Sequence, residues 1–547
     1  MSRTLADDVI DMVRGSGADV VFTCPGTTEV PILDAALDHP ECAMVLTTHE
    51  SVAVAAADGY ARSTGHPGVA LLHANVGLLN GLSMAEAARV GNSRVLVLNG
   101  TKPLANRNRR GFTQTPGSPH VARPFAVWAG ALESRDSALD DLRAALLRLQ
   151  RNPAGPVYLE LPQDLLARPA LASVPTITGS RDTATCRPTD SAIAEASAAL
   201  AASSRVVLVA GREVADTSAA HHLVAISRLL HAPLFEAPWR ELERETIDTA
   251  DPHYAGVLSW RPDVLAGATA LVVGTPPFLE PDADNGMLDA CDTVIHVSSD
   301  PTDVISPSLP LVGAPVESVE ALLKELSNVD QDPRSAAARA SWLREVTSPA
   351  PQGGTEAAPS TEALSVGAVA RIMAEDATDQ SPVVVDAVTA TGTLLRGLPR
   401  RPGRQFHATG SGALGWGMGA AIGVAHATDG RVHAIVSDGV FQFGLQALHT
   451  AVAKNLPITW VVLNNRSYRA VKLALENFGG RARAAETFPC TDLGDSNLAM
   501  IAEGYGVAAT RVTSESAFAR AWREQRSVDG PRLIEVMVDS AERNTAR

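Results

Sequence analysis

The stretch from Val432 to Lys472 constrains the fold more than any other part of the chain. Residues 432–436 form a short apolar run that ends at Ser437-Asp438-Gly439. Residues 443–454 then show helical periodicity, with Leu445, Leu448 and Val452 on one face. Asn455-Leu456-Pro457 stops that helix, and residues 458–463 are a second apolar run, ending at Asn464-Asn465. A strand, a helix and a strand in this order make a crossover unit with parallel strands. Asp438 and Asn465 then sit at carboxyl ends of strands, where open α/β sheets bind ligands.

The same alternation runs along the whole chain. Residues 20–23, 44–48, 69–73, 95–99 and 157–161 read as strands in a first segment, with an Ala-rich helix at 51–61. Residues 206–210, 270–274 and 293–297 read as strands in a second. Residues 383–385, 432–436, 458–463 and 532–538 read as strands in a third. Stretches rich in Pro, Thr and Ser at about 172–189 and 348–360 read as linkers. The expectation is three consecutive doubly wound α/β domains, over 1–175, 190–345 and 361–547. A chain of 547 residues is too long for one core, which agrees with three. The first and third domains could share a fold.

Composition excludes several function classes. The net charge is −15, which argues against nucleic acid as a main partner, because phosphate binding needs clustered cations. No apolar run reaches the roughly 18 residues that span a bilayer. The five cysteines, Cys24, Cys42, Cys186, Cys291 and Cys490, are scattered and lack metal-ligand spacing. They read as reduced thiols of a cytoplasmic protein. The N-terminal residues are polar rather than those of a secretion signal.

An Asp carboxylate, an Asn carbonyl and a nearby backbone carbonyl are hard oxygen ligands that suit Mg²⁺. Gly439 lets the backbone approach a phosphate, and the helix start favours an anion. Asp-Gly and Asn-Asn taken singly are turn chemistry. As a pair at matching strand ends they point to a metal site.

This pattern resembles the motif of the thiamine-diphosphate enzyme family: Gly-Asp-Gly, some two dozen residues, then Asn-Asn. Ser437 departs from the usual first Gly, and Val440 stands where many members have Ser or Ala. The resemblance implies side-chain ligation of Mg²⁺ by Asp438 and Asn465, with a backbone oxygen from Ser467. The run from Thr48 to Arg62 looks like the family's N-terminal block. By spacing alone Glu50 is an acid facing a helix macrodipole. An uncharged run from Val52 to Ala57 beside it suggests a raised pKa. By resemblance Glu50 hydrogen-bonds the cofactor's aminopyrimidine ring and drives loss of the thiazolium proton. The resulting ylid attacks the keto carbon, and an enamine remains after CO₂ leaves.

Gly410 to Gly415 fits a glycine-rich dinucleotide pattern, although residues 405–409 before it make a poor strand. The resemblance gives this loop another role, with Leu414 as a wedge that bends the cofactor and the Gly412 carbonyl as an acceptor. Thr389 and Thr391 stand where they serve either the diphosphate or a helix cap. The cofactor set expected is Thr389, Gly412, Leu414, Asp438, Gly439, Val440, Asn465 and Tyr468. Trp416, Phe441, Phe443 and Leu473 read as core or as pocket.

Cys24-Pro25-Gly26-Thr27-Thr28 resembles the family's Pro-Gly loop, with Thr27 near the substrate. His73, at a strand end, resembles the proton-shuttling His of the benzoylformate decarboxylase branch. Members of that branch also use a His from the middle domain, and residues 274–282 offer Pro281 and no His. The resemblance thus implies a decarboxylase of a small-molecule 2-keto acid, with an acetolactate synthase-like carboligase as the alternative. A homodimer or homotetramer follows, with active sites at subunit interfaces. A non-catalytic homologue is the third reading, against which the Glu50 carboxylate argues.

Overall fold

The structure is a computed structural model that describes residues 3–171, 187–215, 219–237, 247–248, 250–258, 262–275, 287–301, 308–330, 332–347, 364–375, 378–398, 403–525 and 529–539. The stretch expected as the second linker lies outside these residues, as does most of the first. So do Cys186 and residues 276–286.

Three six-stranded sheets follow one another. The first holds β1 (Val20–Cys24), β2 (Ala43–Leu46), β3 (Gly68–His73), β4 (Val95–Thr101), β5 (Trp128–Ala131) and β6 (Val157–Pro162). The second holds β7 (Val206–Ala210), β8 (Leu234–Glu236), β9 (Tyr254–Val257), β10 (Thr269–Val273), β11 (Thr293–Ser298) and β12 (Ser308–Val312). The third holds β13 (Val383–Asp386), β14 (Phe406–Ala408), β15 (Val432–Ser437), β16 (Ile458–Asn464), β17 (Ala508–Val512) and β18 (Arg532–Met537). Every pairing between these strands is parallel. The fold is therefore three doubly wound α/β layers, as the alternation predicts.

The first sheet runs β2-β1-β3-β4-β6-β5 and the third β14-β13-β15-β16-β18-β17. These are the same order counted from each sheet's own first strand, so the outer two layers share a topology. The middle sheet runs β12-β11-β10-β7-β8-β9. Among the described residues no helix is long and apolar enough to cross a membrane.

Two expectations need correction. The segment 443–454 is two helices, Asp438–Gly444 and Ala447–Ala453, rather than one. Gly444 supports a helix weakly and lies against Met418, so the chain turns at Leu445-Gln446. Residues 406–408, read as too polar for a strand, form β14 at the sheet edge. Its pairing with β13 is set by tertiary contact, which overrides local propensity.

The outer layers meet along two helices, Glu50–Thr64 and Trp416–Ala427. Their side chains merge into one core containing Val52, Ala55, Tyr60, Trp416, Ile422 and Val424. The approach is close because the contact residues are small. A Cβ on Gly423 would lie 1.8 Å from the Ala56 carbonyl oxygen. Any side chain there would push the helices apart. A buried polar set locks the pair: Asp58 accepts from Trp416 Nε1 at 2.7 Å and from Arg62 Nε at 2.7 Å. Arg62 also donates to the Ala408 carbonyl at 2.9 Å, and its guanidinium lies over the Trp416 ring. Each charge is paired and hydrogen-bonded, which is the condition for burying it.

Candidate active site

The carboxyl ends of β13, β15 and β16 open into a cleft with about 810 Å³ of space, part of it open to solvent. It is lined by Thr389, Leu414, Ser437, Asp438, Gly439, Asn465, Ser467 and Tyr468, among others from residues 366–539. Strand pairing brings this about. Val436 pairs with Val462 and Ser437 with Leu463, so the two chains leave the sheet side by side.

Asp438 starts the helix Asp438–Gly444 and is 3% exposed. Its Oδ1 accepts from the Gly439 N–H at 2.8 Å. Its Oδ2 is buried and has no hydrogen-bond partner among the described residues. Burial pushes the carboxyl up to about 6, opposed by N–H groups of Gly439 and of the Asn465–Ser467 turn. A buried carboxylate oxygen left without a partner costs free energy unless a ligand completes it. This oxygen and the nearby Asn465 and Ser467 oxygens form a donor set that fits a hard divalent cation.

The two asparagines at the end of β16 divide their work. Asn464 is buried and donates to Glu535 at 2.6 Å, which fixes the turn. Asn465 lines the cleft, with Oδ1 accepting from the Ser467 N–H at 2.9 Å. Ser437 accepts the Val440 N–H at 3.4 Å, so the serine acts as helix cap. Val440 itself is fully buried. Leu414 lines the cleft, whereas Gly412 is exposed beside it with open space at its Cβ position. Trp416 and Phe441 are core, Phe443 is exposed and Leu473 is half-buried.

Glu50, His73 and Thr27 do not line this cleft. They belong to a second constellation, at the carboxyl ends of the first sheet. Glu50 is the first residue of its helix, is half-buried, and accepts from Asn80 Nδ2 at 3.0 Å. His73 ends β3, and its Nδ1 lies 3.1 Å from Glu29 Oε2 and 2.9 Å from Thr28 Oγ1. Thr27 is exposed; the buried neighbour Thr28 makes the contact. A Cβ on Gly26 would sit 2.4 Å from the His73 ring, so the Pro-Gly turn closes over the imidazole only as glycine.

Glu29 is a residue that sequence reasoning missed. It is 0% exposed and also accepts from the Gly26 N–H at 2.7 Å and from the Thr28 hydroxyl. Burial raises its pKa, opposed by those hydrogen bonds and by His73. Asp386 was missed as a site-building residue. It is buried, accepts from the Gly417 N–H at 2.9 Å, and is pushed up to about 7 by burial. It ties the Thr389 loop to the start of the Trp416–Ala427 helix.

Comparison with known proteins decides the family. The description "Thiamine pyrophosphate enzyme, N-terminal TPP binding domain" matches residues 3–120, and "Thiamine pyrophosphate enzyme, C-terminal TPP binding domain" matches residues 386–536. The chain belongs to the thiamine-pyrophosphate enzyme family. Within that family it is 27% identical to benzoylformate decarboxylase of Pseudomonas aeruginosa, over 99% of this chain and 100% of that protein. It is 22% identical to the acetolactate synthase large subunit of Haemophilus influenzae, over 98% and 95%. Its fold matches that of the 4-hydroxybenzoylformate decarboxylase of Rhodococcus jostii RHA1, with a TM-score of 0.84 at 24% identity over 99% and 100% of the two chains. The enzyme thus carries the N-terminal and C-terminal cofactor-binding domains of a thiamine-pyrophosphate enzyme, with the middle layer between them in sequence.

Proposed function

We propose that this thiamine-pyrophosphate enzyme decarboxylates a small 2-keto acid without oxidation. The observation that carries the reading is His73, held by buried Glu29 and Thr28 in the constellation that also bears Glu50. When bound, thiamine diphosphate supplies the carbon nucleophile and the electron sink. Asp438 and Asn465 hold Mg²⁺ through side-chain oxygens and Ser467 through its backbone carbonyl. Thr389, Gly439, Val440 and Tyr468 contact the diphosphate end. Leu414 and the Gly412 carbonyl bear on the middle and pyrimidine parts. Glu50 would stand at the pyrimidine end of the cofactor, where its carboxyl can hold and release a proton. His73, oriented by Glu29, delivers the proton that gives an aldehyde, with Thr27 beside the substrate.

Two chains are needed for one site in this reading. The Asp438 cleft takes its lining from residues 366–539, and Glu50 stands elsewhere on the same chain. Exposed Val76 and Leu79 lie on the helix Ala74–Val90 that carries Asn80, the donor to Glu50, and exposed Val388 and Val471 line the cleft. Apolar rims on both constellations suit burial against a second copy, as a homodimer or a homotetramer of dimers. The chain's three domains span 1–175, 190–345 and 361–547 in this reading. The scattered cysteines suit the cytoplasm.

The second reading is a carboligase that passes the decarboxylated fragment to another carbonyl compound. Likeness to acetolactate synthase and the lack of His in 274–282 favour it. One experiment separates the two. The Mg²⁺ and cofactor-loaded enzyme is given a panel of 2-keto acids while CO₂, aldehyde and hydroxyketone are followed together. Aldehyde supports the first reading and hydroxyketone the second. Release of CO₂ that Glu50→Gln leaves unchanged would remove both.

A further inference from the structure

Arg469 is the first residue of the helix Arg469–Phe478 and lines the same cleft as Asp438. Its side chain is 9% exposed. Its Nε is buried and has no hydrogen-bond partner among the described residues. The nearest acid among the described residues is Glu476, with Oε1 3.7 Å from Nη1, beyond hydrogen-bond length. A guanidinium has five donors and cannot shed its charge, so burying one this poorly matched is costly. Among the described residues the other acids on the cleft wall are Asp438, already assigned to a cation, and Asp539, and neither forms an ion pair with Arg469 within 4.0 Å.

We propose that Arg469 receives an anionic oxygen group inside the cleft, and that this group is the second carboxylate of a 2-keto dicarboxylic acid. The inference rests on the decarboxylase reading and narrows its substrate class. The carboxylate attached to the keto carbon is excluded as the partner. Its charge flows out as CO₂ leaves, so an arginine on it would hold the ground state more tightly than the transition state. The carboxylate that Arg469 takes is one that stays on the product. A planar guanidinium matches such a group through two parallel hydrogen bonds. A diphosphate oxygen of the cofactor offers the same chemistry and is the other source of the anion.

The test uses Arg469→Met and Arg469→Lys in the full chain, with two readouts. Cofactor affinity is titrated on the apo-protein by tryptophan fluorescence, with Mg²⁺ present. Turnover is compared for 2-oxoglutarate and 2-oxobutyrate. The expected result is a loss of at least about tenfold in kcat/KM for 2-oxoglutarate relative to 2-oxobutyrate in the Met variant, partly restored by Lys, with cofactor affinity unchanged. A fall in cofactor affinity with no change in that ratio assigns the anion site to the diphosphate and overturns the dicarboxylate. No change in either readout overturns the anion site. If the wild-type enzyme turns over no 2-keto acid, the decarboxylase reading fails by itself. Competition of glutarate against butyrate for the loaded protein, read by thermal shift, then still tests Arg469. Equal shifts in wild type and Arg469→Met would overturn the inference.

Discussion

Glu29 Oε2 lies 3.1 Å from His73 Nδ1, and the whole Glu29 carboxylate is sealed beneath the Pro25-Gly26 turn. The pair, with the Thr28 hydroxyl, fixes the Nδ1 side of the ring. Glu29→Gln keeps the size of the side chain but removes the carboxylate that holds the His73 ring. We expect kcat to fall about 10- to 100-fold with cofactor affinity unchanged. Steady-state kinetics and cofactor titration together check this, and an unaltered kcat would discard the pairing as a catalytic device.

The Asp438 carboxyl, raised to about 6 by burial, predicts a pH dependence of cofactor binding. The protonated acid cannot ligate Mg²⁺. Affinity should therefore be full well above pH 6 and decline as pH drops through that value. Asp438→Ala should abolish the Mg²⁺-dependent part of binding at every pH. Calorimetric titration between pH 5 and 8 reads both effects; a flat profile would contradict the assignment.

A shared site makes a complementation prediction. Copies carrying Glu50→Gln and copies carrying Asp438→Ala should each be inactive. Co-unfolded and refolded together, or co-expressed, they should regain about a quarter of wild-type activity, because half the dimers are mixed and each has one intact site. Activity that stays at the background of the separate variants would place the whole site within one chain.

Asp386 predicts a stability trend. Its folded pKa of about 7 exceeds that of an unfolded aspartate, so the folded state binds more protons between roughly pH 4 and 7. Stability from this group is greatest below that window and is lost as pH rises through it. Asp386→Asn keeps an acceptor for the Gly417 N–H and removes the titration. The difference in Tm, variant minus wild type, should grow from pH 5 to pH 8. A difference that shrinks would contradict the sign.

Gly423 predicts a packing cost. Its missing Cβ leaves room for the Ala56 carbonyl. Gly423→Ala should lower stability by about 1–3 kcal/mol or more through forced separation of the two helices. Thermal unfolding checks it, with an exposed control such as Gly504→Ala, where nothing lies within 4 Å of the added methyl.

The sequence by itself determined the layered α/β plan and one half of the site. Apolar runs alternating with helical patterns exist because parallel strands are buried on both faces, which leaves a local signature. The strands it passed over were short or half-exposed ones such as β5, β9 and β17, which lack a continuous apolar run. Asp438 and Asn465 were legible because adjacent parallel strands place their ends together, a matter of spacing along one crossover. Tertiary structure alone decided that Glu29 orients His73, since the two are 44 residues apart and meet only when β1 and β3 pair. It also decided that Arg469 is buried, with an Nε that has no hydrogen-bond partner among the described residues, because burial depends on what packs over a helix and not on the residue's name. The stretch from Val432 to Lys472 thus carried Asp438 and Asn465 in its spacing, while the burial of Arg469 within it and the contact of Glu29 with His73 emerged only from folding.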